Sequence, residues 1–239
     1  MERVQKVISN LGYASRRETE RLITEKRVLI NDQIAKLGDK VSNKDIIKID
    51  GVILDKEKSN DKVYYILNKP RGVVSTSKDD KNRKTVVSLI ETDKRIYPIG
   101  RLDYDTTGVL LLTNDGELTN KLLHPRNNID KVYLAKIKGI ITGSDIYNLK
   151  NGVIIDGIKT SKSKVKLKSF SKKTNTSLVE ITIHEGRNHQ VKKMFQSLGY
   201  DVIKLSRIKF AFLDCKSLKS GEYRQLSVKE VKKLYSLGE

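Results

Sequence analysis

The sequence predicts an α+β fold in two parts. A small α/β module comes first, followed by a domain built on a large mixed, mostly antiparallel sheet flanked by helices. Three observations point there. Strand-like runs, several with two-residue alternation of apolar and polar side chains, recur along residues 63–239, as in 131–138, 163–170 and 177–184. Helical spacing is interspersed among such runs. Residues 55–62, Asp-Lys-Glu-Lys-Ser-Asn-Asp-Lys, hold no apolar side chain, so they cannot join a core and read as a linker. With 239 residues the chain is long enough for one large domain or two smaller ones. The expected boundaries are a module at 2–52, a linker at 53–62 and a main domain at 63–239.

In the module, Val4, Val7, Ile8 and Leu11 follow i, i+3, i+4, i+7 spacing and Gly12 ends the helix. Ser15 with Glu18 forms a capping-box pattern that opens a second helix, buried through Leu22 and Ile23. Val28 to Ile30 reads as a strand that turns at Asn31-Asp32. Asp45 to Ile53 reads as another, interrupted at Asp50-Gly51.

In the main domain, Val63 to Asn68 is a β-branched and aromatic strand turned by Pro70-Arg71-Gly72. Thr85 is placed as the cap of a short helix through Ile90. Gly108 to Thr113 is a continuous apolar strand, and Asn114-Asp115-Gly116 turns it into a helix over Glu117 to Leu123. Gly152 to Thr160 is spaced almost like a phosphate loop, but Ile158 separates the glycine from the lysine and the surroundings look like strands; we assign a hairpin. Val191, Met194, Phe195 and Leu198 mark a helix closed by Gly199. Two further strands are expected at 202–205 and 208–212. Ser227 with Glu230 caps a last helix whose apolar side is Val228, Val231, Leu234 and Tyr235.

Composition narrows the partners. Lys plus Arg number 48 and Asp plus Glu 29, a formal net charge of +19. A surplus this large implies a polyanionic partner, nucleic acid first. Cys215 is the only cysteine, so no intrachain disulfide can form and a reducing compartment is expected. The amino terminus shows no signal-peptide pattern and no run is long enough to span a bilayer, so we expect a cytoplasmic protein with no membrane partner. His124, His184 and His189 are scattered, and with a single cysteine they make no zinc pattern; no metal is expected.

The most informative segment is Gly100-Arg101-Leu102-Asp103-Tyr104-Asp105-Thr106-Thr107-Gly108, a polar loop bracketed by glycines that feeds an apolar strand. Catalytic groups are commonly carried on such loops. By physics alone an ordinary turn with a surface ion pair is the favoured reading. This segment, continued through Val-Leu-Leu-Leu-Thr-Asn-Asp-Gly116, resembles the signature of the ribosomal RNA pseudouridine synthases of the RsuA/RluB group. Three more segments resemble that family in the right order: Asn68-Lys69-Pro70-Arg71-Gly72, Lys131-Val132-Tyr133, and Glu185-Gly186-Arg187-Asn188-His189-Gln190-Val191-Lys192-Lys193-Met194-Phe195. The first module resembles an S4 RNA-binding domain. The likeness spans nearly the whole chain.

The resemblance implies site-specific isomerisation of uridine to pseudouridine in ribosomal RNA, with no cofactor. The loop and the Glu-Gly-Arg-Asn stretch look more like the branch acting on large-subunit (23S) RNA. The 16S branch, and a non-catalytic S4-type ribosome-assembly factor, stand as alternatives. By resemblance Asp103 is the catalytic carboxylate. It could attack C6 of the base or C1′ of the ribose, or stabilise a cationic sugar. Each route needs a charged carboxylate, and a carboxylate in a cleft needs a cation beside it. The resemblance gives that role to Arg187, at the start of the helix. Tyr133 would lie against the base and Leu205 would shape the pocket floor. Arg101 would fill the place of the extruded uridine or contact phosphate. Lys69, Arg71, His189, Gln190 and Lys192, inside the motifs, are expected to face RNA. In the S4 module Arg3, Lys6, Arg16, Arg17 and Arg27 would form a basic face giving salt-dependent, largely sequence-independent affinity. The substrate is free rRNA or an assembly intermediate, and the protein is expected to act as a monomer.

Overall fold

The structure is a computed structural model and describes residues 1–55 and 61–238. The chain divides into two compact units. The first holds residues 1–63 with 92–95 and 114–116, and the second holds the rest. No helix among the described residues is long and apolar enough to cross a membrane.

In the first unit, strand β1 (Glu2–Arg3) runs into helix α1 (Val4–Asn10), followed by α2 (Arg16–Thr24). Strands β2 (Val28–Ile30), β3 (Gln33–Ile34), β4 (Lys40–Val41), β5 (Ile47–Ile49) and β6 (Val52–Ile53) complete it. Ser15 Oγ accepts the Glu18 backbone N–H at 3.0 Å, as its spacing predicts. The Glu18 carboxylate turns to Arg21. Asn31 and Asp32 both have positive φ (49° and 65°), the geometry of a tight hairpin turn between β2 and β3. Val4, Ile8, Leu22, Ile23, Val28 and Ile47 form the core. Ile53 belongs to β6 and Leu54 is buried in this core, although both fall in the segment expected as linker. Of that segment, residues 56–60 lie outside the described residues.

The second unit is built on one sheet. Its strands are β7 (Tyr64–Lys69), β8 (Tyr97–Ile99), β9 (Thr107–Thr113), β10 (Lys131–Lys138), β13 (Lys164–Ser171), β14 (Thr176–Ile183), β15 (Val202–Phe210), β16 (Leu213–Asp214) and β17 (Tyr223–Gln225). A separate hairpin pairs β11 (Ile154–Ile155) with β12 (Ile158–Lys159). The order is β13-β14-β10-β15-β9-β7-β17, with β8 added on β9 and β16 on β15. Every pairing in the sheet is antiparallel except β15 with β9, so the sheet is mixed and mostly antiparallel, as expected. Helices α3 (Gly116–Leu123), α4 (Gly143–Asn151), α5 (Gln190–Gln196) and α6 (Val228–Tyr235) flank it.

The parallel contact fixes the position of the site. It matches Ser206 with Thr107 and Arg207 with Gly108. Gly108 has φ +104°, and a Cβ there would lie 2.2 Å from the Arg207 carbonyl oxygen. Only glycine lets the two strands approach this closely.

Several expectations are corrected. Residues 202–205 and 208–212 are not separate strands, because β15 runs unbroken through Ser206 and Arg207. Residues 85–90 hold a single 3₁₀ turn, Val87–Leu89, and Thr85 Oγ1 accepts from the Ser88 N–H. Helix α4 was not expected; Thr142 and Asp145 cap it reciprocally. Helix α5 starts at Gln190, so Arg187 sits in the loop before it. Val228 is 71% exposed and does not belong to the buried side of α6.

Candidate active site

Asp103 lies on the loop joining β8 to β9, and that loop is pinned from beneath. Lys69, at the end of β7, is fully buried and donates to the carbonyls of Pro70, Asp103 and Thr106 at 3.0–3.1 Å. Burial pushes its ammonium down to about 8, with Asp103 and Asp105 pulling the other way. The expectation that Lys69 touches RNA is therefore wrong, because its charge is spent on the loop's carbonyls. Ser75 Oγ accepts from the Leu102 N–H and donates to the Leu102 carbonyl. Gly72 N–H donates to the Tyr104 carbonyl at 2.8 Å.

The Asp103 carboxylate faces Lys192. The Lys192 Nζ is 3.1 Å from Asp103 Oδ2 and 2.6 Å from Asp105 Oδ1. His189 Nε2 is 3.5 Å from the other Asp103 oxygen. Burial opposes the charge on Lys192, but its hydrogen bonds to Asp105 and Asp103 and their negative charges outweigh it and raise its pKa. The same contact with Lys192 lowers that of Asp105.

The cation expected here was Arg187, and the structure corrects this. Arg187 Nε lies 3.0 Å from Glu185 Oε2, and its two terminal nitrogens donate to the carbonyls of Ile158 and Lys159. It ties the β11–β12 hairpin to the loop before α5. His189 has φ +54° and sits at the N-cap of α5. The helix therefore begins later than expected, and its first turn brings Lys192 to Asp103.

Behind Asp103 lies a cavity of about 130 Å³. It shares Asp103, Arg101, Lys131 and His189 with an open cleft of about 1060 Å³. Tyr133 and Leu205 line the cavity, 9% and 7% exposed. Tyr133 lies on the buried face of β10 with Lys131 and Ala135. Its register partner is Arg207.

Among the other expected residues, Arg101 is exposed and lines both the cavity and the cleft. Arg71 is exposed, and its charge acts on Asp105. Gln190 was expected to face RNA but is 4% exposed, and its Oε1 accepts the Arg187 backbone N–H at 3.0 Å. In the first unit Arg3, Arg16 and Arg17 are exposed. Lys6 pairs with Glu2. Arg27 makes a two-bond pair with Asp50 at 2.7 Å and also meets Glu25, so its charge is already matched. Sequence reasoning missed Lys131 and Arg207 as cavity residues. A lysine and an arginine inside strands were the available signal, since such residues are rarely buried without a purpose. Among the described residues no group of three or more His, Cys, Asp or Glu could hold a metal ion.

The geometry thus offers a carboxylate held between two cationic or polar neighbours, on the wall between an open cleft and a cavity with aromatic and aliphatic side chains in its lining. Comparison with known proteins agrees. The RNA pseudouridylate synthase family profile matches residues 63–197, and that of the S4 domain matches residues 2–47. The ribosomal large subunit pseudouridine synthase B of Bacillus subtilis is 48% identical over 241 residues, covering 100% of this chain and 98% of the relative. The dual-specificity RNA pseudouridine synthase RluF of Salmonella typhi is 38% identical over 98% of this chain and 79% of its own length. A crystal structure of a pseudouridylate synthase superposes with a TM-score of 0.71 at 30% identity, covering 98% of this chain and all of that one. This chain belongs to the RNA pseudouridylate synthases that carry an amino-terminal S4 domain.

Proposed function

We propose that this protein isomerises uridine to pseudouridine in ribosomal RNA, acting on the large-subunit (23S) RNA with Asp103 as its catalytic carboxylate. One observation carries the reading: Asp103 stands at the boundary of cleft and cavity with Lys192 3.1 Å from one oxygen and His189 3.5 Å from the other. The large-subunit assignment draws its support from the name of the Bacillus subtilis relative.

The target uridine has to leave its helix, at a cost of a few kcal/mol. Arg101, exposed beside the cavity mouth, takes up the vacated space or a flanking phosphate. The base enters the cavity and lies against Tyr133, a contact worth about 1–3 kcal/mol in alanine-substitution measurements on other proteins. Leu205 forms its floor. Asp103 then meets the nucleoside as a nucleophile at C6 or C1′, or as the counter-charge of a cationic ribose, with the Lys192 ammonium 3.1 Å away in every case. The N1–C1′ bond breaks, the base turns and C5 bonds to C1′. Atoms and oxidation state are conserved, so no cofactor enters the chemistry. Arg187 ties the loop that carries His189 to the β11–β12 hairpin, rather than meeting the carboxylate itself.

The experiment incubates purified protein with unmodified 23S and 16S transcripts and maps pseudouridine by carbodiimide-dependent primer extension. A single new site in 23S RNA is expected. A site in 16S RNA alone would move the enzyme to the small-subunit branch. No site in either, with RNA still bound, would leave a binding factor in place of an enzyme.

A further inference from the structure

Two cations, Arg207 and Lys131, line the cavity, and among the described residues neither makes an ion pair with an acid. Arg207, on β15, is 2% exposed. Its Nε donates to the Val109 carbonyl at 2.7 Å and its guanidinium lies 5.3 Å from the centre of the Phe210 ring. Its Nη2 is buried and has no hydrogen-bond partner. Lys131, on β10, is 8% exposed and lies 5.9 Å from the same ring. Its Nζ donates to the carbonyls of Ile129 and His184, and the one acid whose charge is felt there, Asp130, only partly offsets burial. Burial first, then repulsion from Arg207, push its ammonium down to about 8. Neither residue makes an ion pair among the described residues.

Burying a charge without a carboxylate beside it is costly, and two side by side cost more. Such a cost is sustained where a negative charge comes and goes. Two further buried polar atoms without partners, Thr106 Oγ1 and Gln190 Nε2, belong to residues lining the same cavity. The Gln190 amide is oriented by the Arg187 N–H on its oxygen, so Nε2 is the free end. Two N–H donors and one hydroxyl match in number the two carbonyls and single imide N–H of uracil. Leu102, Leu205 and Phe210 add an apolar wall, which suits a flat ring better than a hydrated phosphate.

We propose that Arg207, through Nη2, hydrogen-bonds a carbonyl oxygen of the target base and, backed by Lys131, stabilises the negative charge that the base carries while detached from ribose. This rests on the cavity being the seat of the target uridine. When N1–C1′ breaks, the bonding pair stays with the base and spreads over O2 and O4, while Asp103 compensates the ribose carbon. When C5 bonds to C1′ the pair is returned, the C5 proton leaves, and N1 ends protonated. Preorganised donors aimed at developing charge in a dry site are a large source of rate enhancement.

The test compares full-length wild type, Arg207→Met and Arg207→Lys in single turnovers at saturating enzyme. Two target RNAs are used, one with uridine and one with 5-fluorouridine at the modified position. Loss of the unmodified nucleoside is read by mass spectrometry of nuclease digests. Fluorine makes the base a more stable anion, so it replaces part of what Arg207 supplies. Arg207→Met is expected to slow uridine conversion by ~10²-fold or more, and 5-fluorouridine conversion at least about tenfold less severely, with RNA affinity nearly unchanged. Arg207→Lys recovers part of the rate. Equal losses on both RNAs, or a full rate in Arg207→Met, would overturn the proposal. Should Arg207→Met fail to fold by thermal melting, Arg207→Lys carries the same comparison with the same sign. Failure of wild type to convert uridine in either RNA would instead strike the functional reading beneath it.

Discussion

At the residue scale the site turns on which cation serves Asp103. Motif likeness singled out the aspartate, but it gave the cation's role to Arg187, whereas Lys192 is the residue beside Asp103. The choice depends on His189, whose left-handed φ of +54° delays the helix until Gln190; nothing in its identity announces that conformation. Lys69 was misread for a related reason. Lysine is almost always at the surface, and only the fold reveals three carbonyls gathered around its Nζ. Replacing Lys192 by Met is expected to lower the single-turnover rate on the order of 10²-fold, the size seen when a preorganised charge partner is removed. Lys192→Arg should restore much of it, and RNA affinity should change far less than the rate. A larger loss in Arg187→Met than in Lys192→Met would return the role to Arg187.

Elements with strong local signals were legible. β10 spans Lys131–Lys138 as alternation predicts, and the Ser227–Glu230 box caps α6 in both directions. Those that were missed have weak signals. Helix α4 buries only Leu149, too thin a stripe to register, and its cap carries Asp145 where Glu or Gln is usual. β15 was split because Ser206-Arg207 breaks its apolar run; the buried Arg207 that spoiled the pattern is the residue to which we assign chemistry. A mismatch between sequence pattern and fold often marks a functional position. The α6 cap also gives a pH prediction. The Arg224 guanidinium, at 2.7 Å, holds the Glu230 carboxyl down to about 2, with help from Ser227. A carboxylate lowered on folding stabilises the native state above its unfolded value, near 4.5, and that contribution fades as pH falls towards 2. Glu230→Gln should cost about 1 kcal/mol at neutral pH, and urea titrations of the two proteins should converge between pH 4.5 and 2. A constant difference across that window would contradict the pairing.

At the scale of the whole molecule, composition announced a polyanionic partner, and the net charge of +19 sets how affinity responds to salt. The basic face expected in the S4 domain is smaller than its sequence suggested, since Lys6 and Arg27 are paired with acids while Arg3, Arg16 and Arg17 are exposed. Replacing those three arginines by Gln should weaken RNA binding and lower the slope of log affinity against log salt by roughly 0.7–0.9 for each phosphate that is no longer neutralised. The single-turnover rate at saturating enzyme should hold. An unchanged slope would remove these residues from the RNA interface. The proposed function rests on Asp103 above all, and its most direct test is Asp103→Asn, which keeps the shape and removes the charge. With the 23S transcript at saturating enzyme, this variant should bind RNA as wild type does and form no pseudouridine above background. Pseudouridine appearing at the wild-type rate would contradict the assignment of Asp103.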